Sequence, residues 1–280
     1  MGWPHEPVPL QIGVGRLSTL GGRGLTGMAM SQATTQTNTQ VGAGDGRSLV
    51  HRAMQAVSDH IRAQSMRVGD SLPGEAYFAG QLGVSRAVMR EAFGALAALK
   101  LIDVGNGRKP RVSAMDGSVM ATSLEHGVGT AQITVPEIWD VRRTIELRTA
   151  ALAAASRTDE EAARICALAQ AMADAGEDLR GVTRYDIALH DAIARAGHNA
   201  LFVQIVSSFG PLMELAVPSA WSTRITEAQR KVVFDQHLAI ARAIELRDPA
   251  AAQAAMDQHF DASIGDILEG MSQRNGQNAG

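Results

Sequence analysis

The stretch Leu72–Ile102, LPGEAYFAGQLGVSRAVMREAFGALAALKLI, constrains this chain more than any other, because it reads as two short helices joined by a tight turn. Pro73 and Gly74 stop whatever precedes them, and Glu75 opens a first helix with a carboxylate near its positive end. Phe78, Ala79 and Leu82 face inward, and Gly83 supplies the left-handed residue that a helix C-terminus often needs. Ser85 is placed to cap the second helix, where Met89, Ala92, Phe93 and Leu96 recur at helical spacing as a buried stripe. Arg86 and Arg90 lie four apart on the opposite face, with Ala87 beside them. Such a face fits the DNA major groove, where arginine donates two hydrogen bonds to guanine O6 and N7 or holds phosphates. An amphipathic helix with two solvated arginines would look the same in isolation. The residues that follow favour DNA: a strand over Leu101–Val104, a turn carrying Arg108 and Lys109, and a returning strand over Arg111–Ser113. A helix-turn-helix followed by a small basic hairpin is a winged helix.

The run LPGE…LGVSRAVMREAFGALAALKLI…GNGRKPRV resembles the N-terminal domain of GntR-type bacterial transcription regulators. The resemblance implies a double-stranded DNA operator read by Arg86 and Arg90, with Gly107 at the wing tip. Ser85, Ala87, Arg108 and Lys109 complete the expected DNA-contacting set. Many members carry an arginine directly after Pro-x-Glu; this chain has Ala76 there, so one phosphate or base contact is absent.

Net charge is −3, an unpromising value for a DNA binder until it is divided along the chain. Residues 46–116 hold ten Lys and Arg against six Asp and Glu, net +4, whereas residues 117–280 hold fourteen against twenty-one, net −7. Positive charge therefore sits on the DNA module, where counterion release uses it. The single cysteine, Cys166, excludes an intramolecular disulfide framework and a zinc-finger cluster. No apolar run reaches the roughly 20 residues of a membrane-spanning helix, and no secretory signal is present, so a cytoplasmic protein without membrane contact is expected.

Domain organisation follows from composition. Residues 1–46 are Gly-rich and polar with no apolar period, and are expected to be a disordered tail in which Met28 or Met30 could serve as a start. Residues 47–113 form the winged helix, residues 114–134 a linker with at most one short helix, and residues 135–272 an all-helical domain. Residues 273–280 are expected to be a second disordered tail. Aromatics are only 4% and alanine is abundant, which favours packed helices. Pro136 starts a helix running to about Ser156; Thr158 caps a second that Gly176 closes; others span about Thr183–Ala196, Ala200–Ala216 (stopping at Pro218) and Thr223–Leu246. Asp248-Pro249 opens the last, which runs to about Gly270. The expected fold is mainly α: an N-terminal winged helix-turn-helix and a C-terminal antiparallel bundle of six or seven helices.

Three of these helices carry possible metal ligands. Asp186 and His190 lie one turn apart on one face, and His237 and His259 sit beside the apolar stripes of two later helices. One carboxylate and three imidazoles suit a divalent ion such as Zn, Ni or Mn and leave coordination positions open. Taken singly, each histidine also fits an ordinary core or surface role. Residues 135–268 resemble the effector-binding domain of the FadR-like branch of the same family, in VRRTIELRTAALAA, DIALHDAIARAGHNALF and QHLAIARAIELRDPAAAQAAMDQHF. That resemblance implies Asp186, His190, His237 and His259 as metal ligands and a small carboxylate effector assisted by Arg142. An ion pair of Arg142 with Glu146, four residues on, is the alternative. The function expected is a ligand-responsive transcription regulator, a repressor that binds a palindromic operator as a homodimer. Two other readings stay open: a metal-dependent hydrolase, and an adaptor whose histidines are structural. A hydrolase would need a positioned acid or base, and the nearest candidate in sequence, Asp191, points about 100° away from His190 on an ideal helix.

Overall fold

The computed structural model describes residues 44–105 and 107–278, with side chains from Leu49 to Ile267. The expected tail falls outside the described residues up to residue 43, and residues 44–46 already belong to the first helix.

Three helices and a hairpin make the N-terminal domain: α1 (Gly44–Ala63), α2 (Glu75–Leu82), α3 (Arg86–Ala98), β1 (Ile102–Asp103) and β2 (Arg111–Val112). Val57, Phe78, Met89, Phe93, Leu96 and Ile102 close one apolar core among them. Gly83 ends α2 with φ 64°, and the Ser85 hydroxyl accepts from the Val88 N–H at 3.3 Å to start α3. β1 and β2 pair antiparallel, Ile102 opposite Val112, and Ser71 adds an isolated bridge to Arg111. Strands are confined to this hairpin among the described residues.

The linker is more ordered than its sequence suggested. Residues Ser118–Gly129 form α4, a full three turns packed against the later helices α8 (Ala200–Ser208) and α9 (Gly210–Thr223). Gly117 makes the approach possible, since a β-carbon there would come within 2.7 Å of the Gln204 carbonyl and 3.0 Å of the Ser208 nitrogen. The only apolar signal is a broken one, which is why the sequence reading stopped at a short helix.

The C-terminal domain contains α5 (Val135–Ser156), α6 (Asp159–Ala175), α7 (Leu179–Ala196), α8, α9, α10 (Glu227–Glu245) and α11 (Pro249–Asn278). Thr134, Thr158 and Thr226 each form a capping box with Glu137, Glu161 and Gln229, which fixes the starts of α5, α6 and α10. The long α11 packs against α5, α9 and α10, while α7 lies against α5, α6, α8 and α9.

Five boundaries differ from the sequence reading. The third helix of the bundle begins at Leu179 rather than Thr183, because Leu179 and Val182 pack beside Trp221. The expected single helix over Ala200–Ala216 is two helices, bent by 51° at Phe209. The second of them passes through Pro218 to Thr223: burial of Ala220 and Trp221 outweighs the hydrogen bond that proline cannot make. α10 starts after its Thr226 cap rather than at Thr223. At the C-terminus, α11 continues to Asn278 through the segment expected as a tail; a lone Gly276 weakens a helix without ending it. Among the described residues no single helix is long and apolar enough to cross a membrane.

Gly117→Ala should separate α4 from α8, because both nearest atoms are backbone and cannot rotate away. We expect a loss of ~1–3 kcal/mol, the usual range for overpacking, read as a lower urea midpoint with unchanged slope.

Candidate functional site

Two sites are built on this frame. The first is the outer face of α3. Arg86, Ala87 and Arg90 are all exposed there, one turn of helix presented to solvent by the buried Met89, Ala92 and Phe93 behind it. Arg90 Nε lies 4.0 Å from Glu75, a loose surface pair that a phosphate or a base can displace. At the wing, Gly107 has φ 74°, the left-handed region that favours glycine, and Lys109 is exposed. Arg108 is paired with Asp103 of β1 at 2.8 Å, which stiffens the hairpin and reduces the charge it offers to DNA.

The second site lies inside the bundle. Arg142 and Glu146 on α5, Asp186 and His190 on α7, His237 on α10 and His259 on α11 are all buried. All of them except Glu146 line a cavity of about 30 Å3, room for roughly two water molecules. The rings of His237 and His259 are 4.4 Å apart between centroids, with His190 at 5.3 Å from His259 and 5.8 Å from His237. One ring nitrogen from each lies within 4.8 Å of the others. The buried His190 Nε2, His237 Nε2 and His259 Nδ1 have no hydrogen-bond partner, which costs free energy unless a cation or water receives them. Asp186 belongs beside this trio through His237, its Oδ1 lying 3.2 Å from His237 Nε2.

The tautomers are fixed from behind. His237 Nδ1 donates to the Val233 carbonyl at 2.8 Å, so in the neutral ring Nε2 carries a lone pair that faces the Asp186 carboxylate. Two acceptors at that distance repel unless a proton or a metal ion lies between them. His190 Nδ1 donates to Glu146 Oε2, leaving Nε2 toward the cavity. These donors fit a divalent cation.

The electrostatics agree. Burial pushes Glu146 up, but Arg142 and His190 outweigh it and hold the carboxyl at about 2. Burial likewise raises Asp186, but the facing imidazoles of His237 and His190 hold it well below the usual carboxylate range. Burial lowers His190, and Glu146 and Asp186 reverse this to raise it. Burial, then His237 and His190, push His259 well below the ordinary histidine value, so its lone pair stays available. A cation at this site would compete with the proton that Glu146 and Asp186 favour on His190.

Of the two sequence readings for Arg142, the ion pair with Glu146 is present. Its Nε donates to Glu146 Oε1 at 2.7 Å, and the same side chain lines the cavity. Its guanidinium lies over the Trp139 ring, 4.9 Å from the centroid. Sequence reasoning missed the second role of Glu146. Its spacing from Arg142 signals an ion pair, but contact with His190 of another helix leaves no trace in spacing. It also missed Arg224, buried in the cavity wall and paired with Asp266 of α11 at 2.9 Å.

A winged helix joined to an all-helical domain with an internal cavity that holds ionisable side chains defines a DNA-binding regulator with a ligand-binding domain. Residues 49–112 match the model for bacterial regulatory proteins of the gntR family, and residues 137–262 match the FCD domain. The chain is similar to the Glc operon transcriptional activator of Escherichia coli (strain K12), with 30% identity over 200 residues, 69% of this chain and 79% of that protein. It is also similar to the HTH-type transcriptional regulator LutR of Bacillus subtilis (strain 168), with 26% identity covering 78% of this chain and all of the relative. The HTH-type transcriptional repressor NanR of Salmonella newport (strain SL254) is 26% identical over 78% of this chain and 88% of its own. A solved structure, Streptococcus agalactiae GntR, shares the fold with TM-score 0.57 at 22% identity, covering 76% of this chain and 97% of that one. The chain belongs to the GntR family of DNA-binding transcription regulators, and its FCD effector-binding domain is consistent with the FadR-like branch. These relatives are regulators and not enzymes, which sets the hydrolase reading aside.

Because Glu146 is 1% exposed and neutralises the 3% exposed Arg142, Glu146→Ala should leave a buried cation without its partner. We expect a loss of about 3–5 kcal/mol, measured by urea unfolding of the bundle.

Proposed function

We propose that this regulator is a homodimeric, cytoplasmic repressor of a palindromic operator, controlled by a small carboxylate at a metal-assisted site in its FCD domain. The observation that carries the reading is the convergence of three unpartnered, buried imidazole nitrogens beside a carboxylate and an arginine. Asp186, His190, His237 and His259 would hold one divalent ion, zinc, nickel or manganese, which supplies a Lewis-acidic centre for an anionic ligand. Arg142 would pair with the charge of the effector carboxylate from the cavity wall. The small size of the cavity, and the Asp186, Arg142 and histidine side chains set among its apolar walls, favour a compact acid over a long acyl chain.

Operator binding falls to Arg86 and Arg90, with Ser85, Ala87, Gly107, Arg108 and Lys109 on the same faces. A single helix-turn-helix makes few base contacts, and two copies related by a two-fold axis read a palindrome together. Occupation of an operator that overlaps a promoter blocks polymerase, which is repression. A route between signal and DNA is available: α7 carries His190, α8 and α9 pack on α7, and α4, which follows the wing in the chain, packs on α8 and α9. A shift of α7 on ligand binding would reach the wing by that route, a coupling that double-mutant measurements can test.

Arg86→Ala and Arg90→Ala should each weaken operator binding by ~1–3 kcal/mol if they contact guanine, whereas Lys109→Ala should weaken all sequences alike and flatten the salt dependence. Gel-shift titrations read both, and sedimentation should find a homodimer at micromolar concentration. Wild-type operator affinity in both arginine variants, or a monomer protecting a single half-site, would sink the DNA reading.

Removing metal with a chelator should lower the melting temperature of the FCD domain, and adding Zn2+ should restore it, because a ligand bound only by the folded state stabilises it. His237→Ala should lose both the metal and the response to carboxylate while still binding operator DNA. Full metal content in that variant would show that the centre lies elsewhere.

A further inference from the structure

Glu146 is the one carboxylate in the centre of the bundle that touches both halves of the candidate site. Oε1 accepts from Arg142 Nε at 2.7 Å, and Oε2 accepts from His190 Nδ1. Both contacts are buried, with Glu146 1% and His190 4% exposed, away from bulk solvent. His190 Nε2, across the ring, is the unpartnered atom aimed into the cavity. An imidazole presents that lone pair only while the proton stays on Nδ1, and a carboxylate behind Nδ1 is what holds it there.

We propose that Glu146 is the positioning residue of this centre: a single carboxylate sets the tautomer of His190 and orients Arg142, so that the ion site and the anion-binding cation are built as one unit. The inference rests on the metal reading above. It has a consequence that a simple ion pair lacks. The two oxygens have different tasks, so glutamine, with one carbonyl oxygen and one amide nitrogen, cannot serve both N–H donors. In Glu146→Gln the charged Arg142, the stronger donor, takes the carbonyl oxygen, and His190 faces the amide N–H2. Nδ1 then becomes an acceptor, the proton moves to Nε2, and the lone pair needed by a cation is gone.

The test uses Co2+ as the probe, with its affinity read by chelator competition and its ligand field by the visible spectrum of the bound ion. Glu146→Gln should bind Co2+ ten- to a hundredfold more weakly than wild type. That variant also strands the Arg142 charge, so two double variants decide the matter even if the single one does not fold. Arg142→Met with Glu146→Gln removes the competing donor, so the amide oxygen is free to accept from His190 Nδ1. Arg142→Met with Glu146→Leu leaves Nδ1 without an acceptor. Both doubles are uncharged at these positions and close in volume. We expect the glutamine double to bind Co2+ at least tenfold more tightly than the leucine double, and to keep the wild-type spectrum while the leucine double loses it. A purely structural role for Glu146 gives two doubles of equal affinity and identical spectra, and that result overturns the proposal, as does wild-type affinity in Glu146→Gln. Failure of the wild-type protein to bind Co2+ or Zn2+ is a separate outcome, visible before any variant is made, and it would remove the metal reading together with this inference.

Discussion

A charged and polar cluster in the middle of an apolar helical bundle has to be neutralised from within. Arg142, Glu146, Asp186 and three histidines occupy the centre of the FCD domain, where water cannot screen them. Isolated, each of these groups would cost several kcal/mol to bury. The structure answers this with a chain of contacts: Arg142 to Glu146, Glu146 to His190, and His237 to the Val233 carbonyl behind and to Asp186 in front. Three imidazole nitrogens remain without partners at the end of that chain. Stability alone does not call for such an arrangement, since well-packed hydrophobic residues of the same volume hold a core together as well or better. α11 brings His259 against His190 of α7 and His237 of α10.

The surrounding helices read as a cradle for that cluster. Four elements contribute side chains to it, and the capping boxes at Thr134, Thr158 and Thr226 fix where three of the bundle helices begin. The bend of 51° between α8 and α9 turns Met213 toward Arg142 and carries Trp221 into the cavity wall. Continuing α9 through Pro218 is what lets Trp221 arrive there. The proline forfeits a backbone hydrogen bond, and the buried aromatic beyond it offsets the loss.

The DNA-binding end follows simpler physics. A compact apolar core holds α1, α2 and α3, so the outer face of α3 is rigid and free of internal duties. Its two arginines point to solvent, and the excess positive charge of residues 46–116 sits with them. Between the two domains, α4 gives a physical connection. Gly117 lets its start come against the backbone of α8.

What the sequence by itself determined was local or periodic. The helix-turn-helix, its Ser85 cap, the Gly83 stop and the buried stripe of α3 were legible because capping residues, glycine stops and a 3.6-residue period act over a few positions. So were the all-helical second domain and the presence of ligand-type residues on three of its helices. The convergence of those residues was supplied by resemblance and not by spacing, because nothing in one helix records which helix packs against it. Tertiary structure decided the rest. It decided that residues 118–129 form a helix, since a weakly patterned segment is stabilised by the surface it lands on. It decided that Pro218 lies inside a helix, since burial of Trp221 overrides local propensity. It decided that Glu146, legible only as a partner for Arg142, also holds His190 from another helix, because a carboxylate has two oxygens and only packing says what the second one meets.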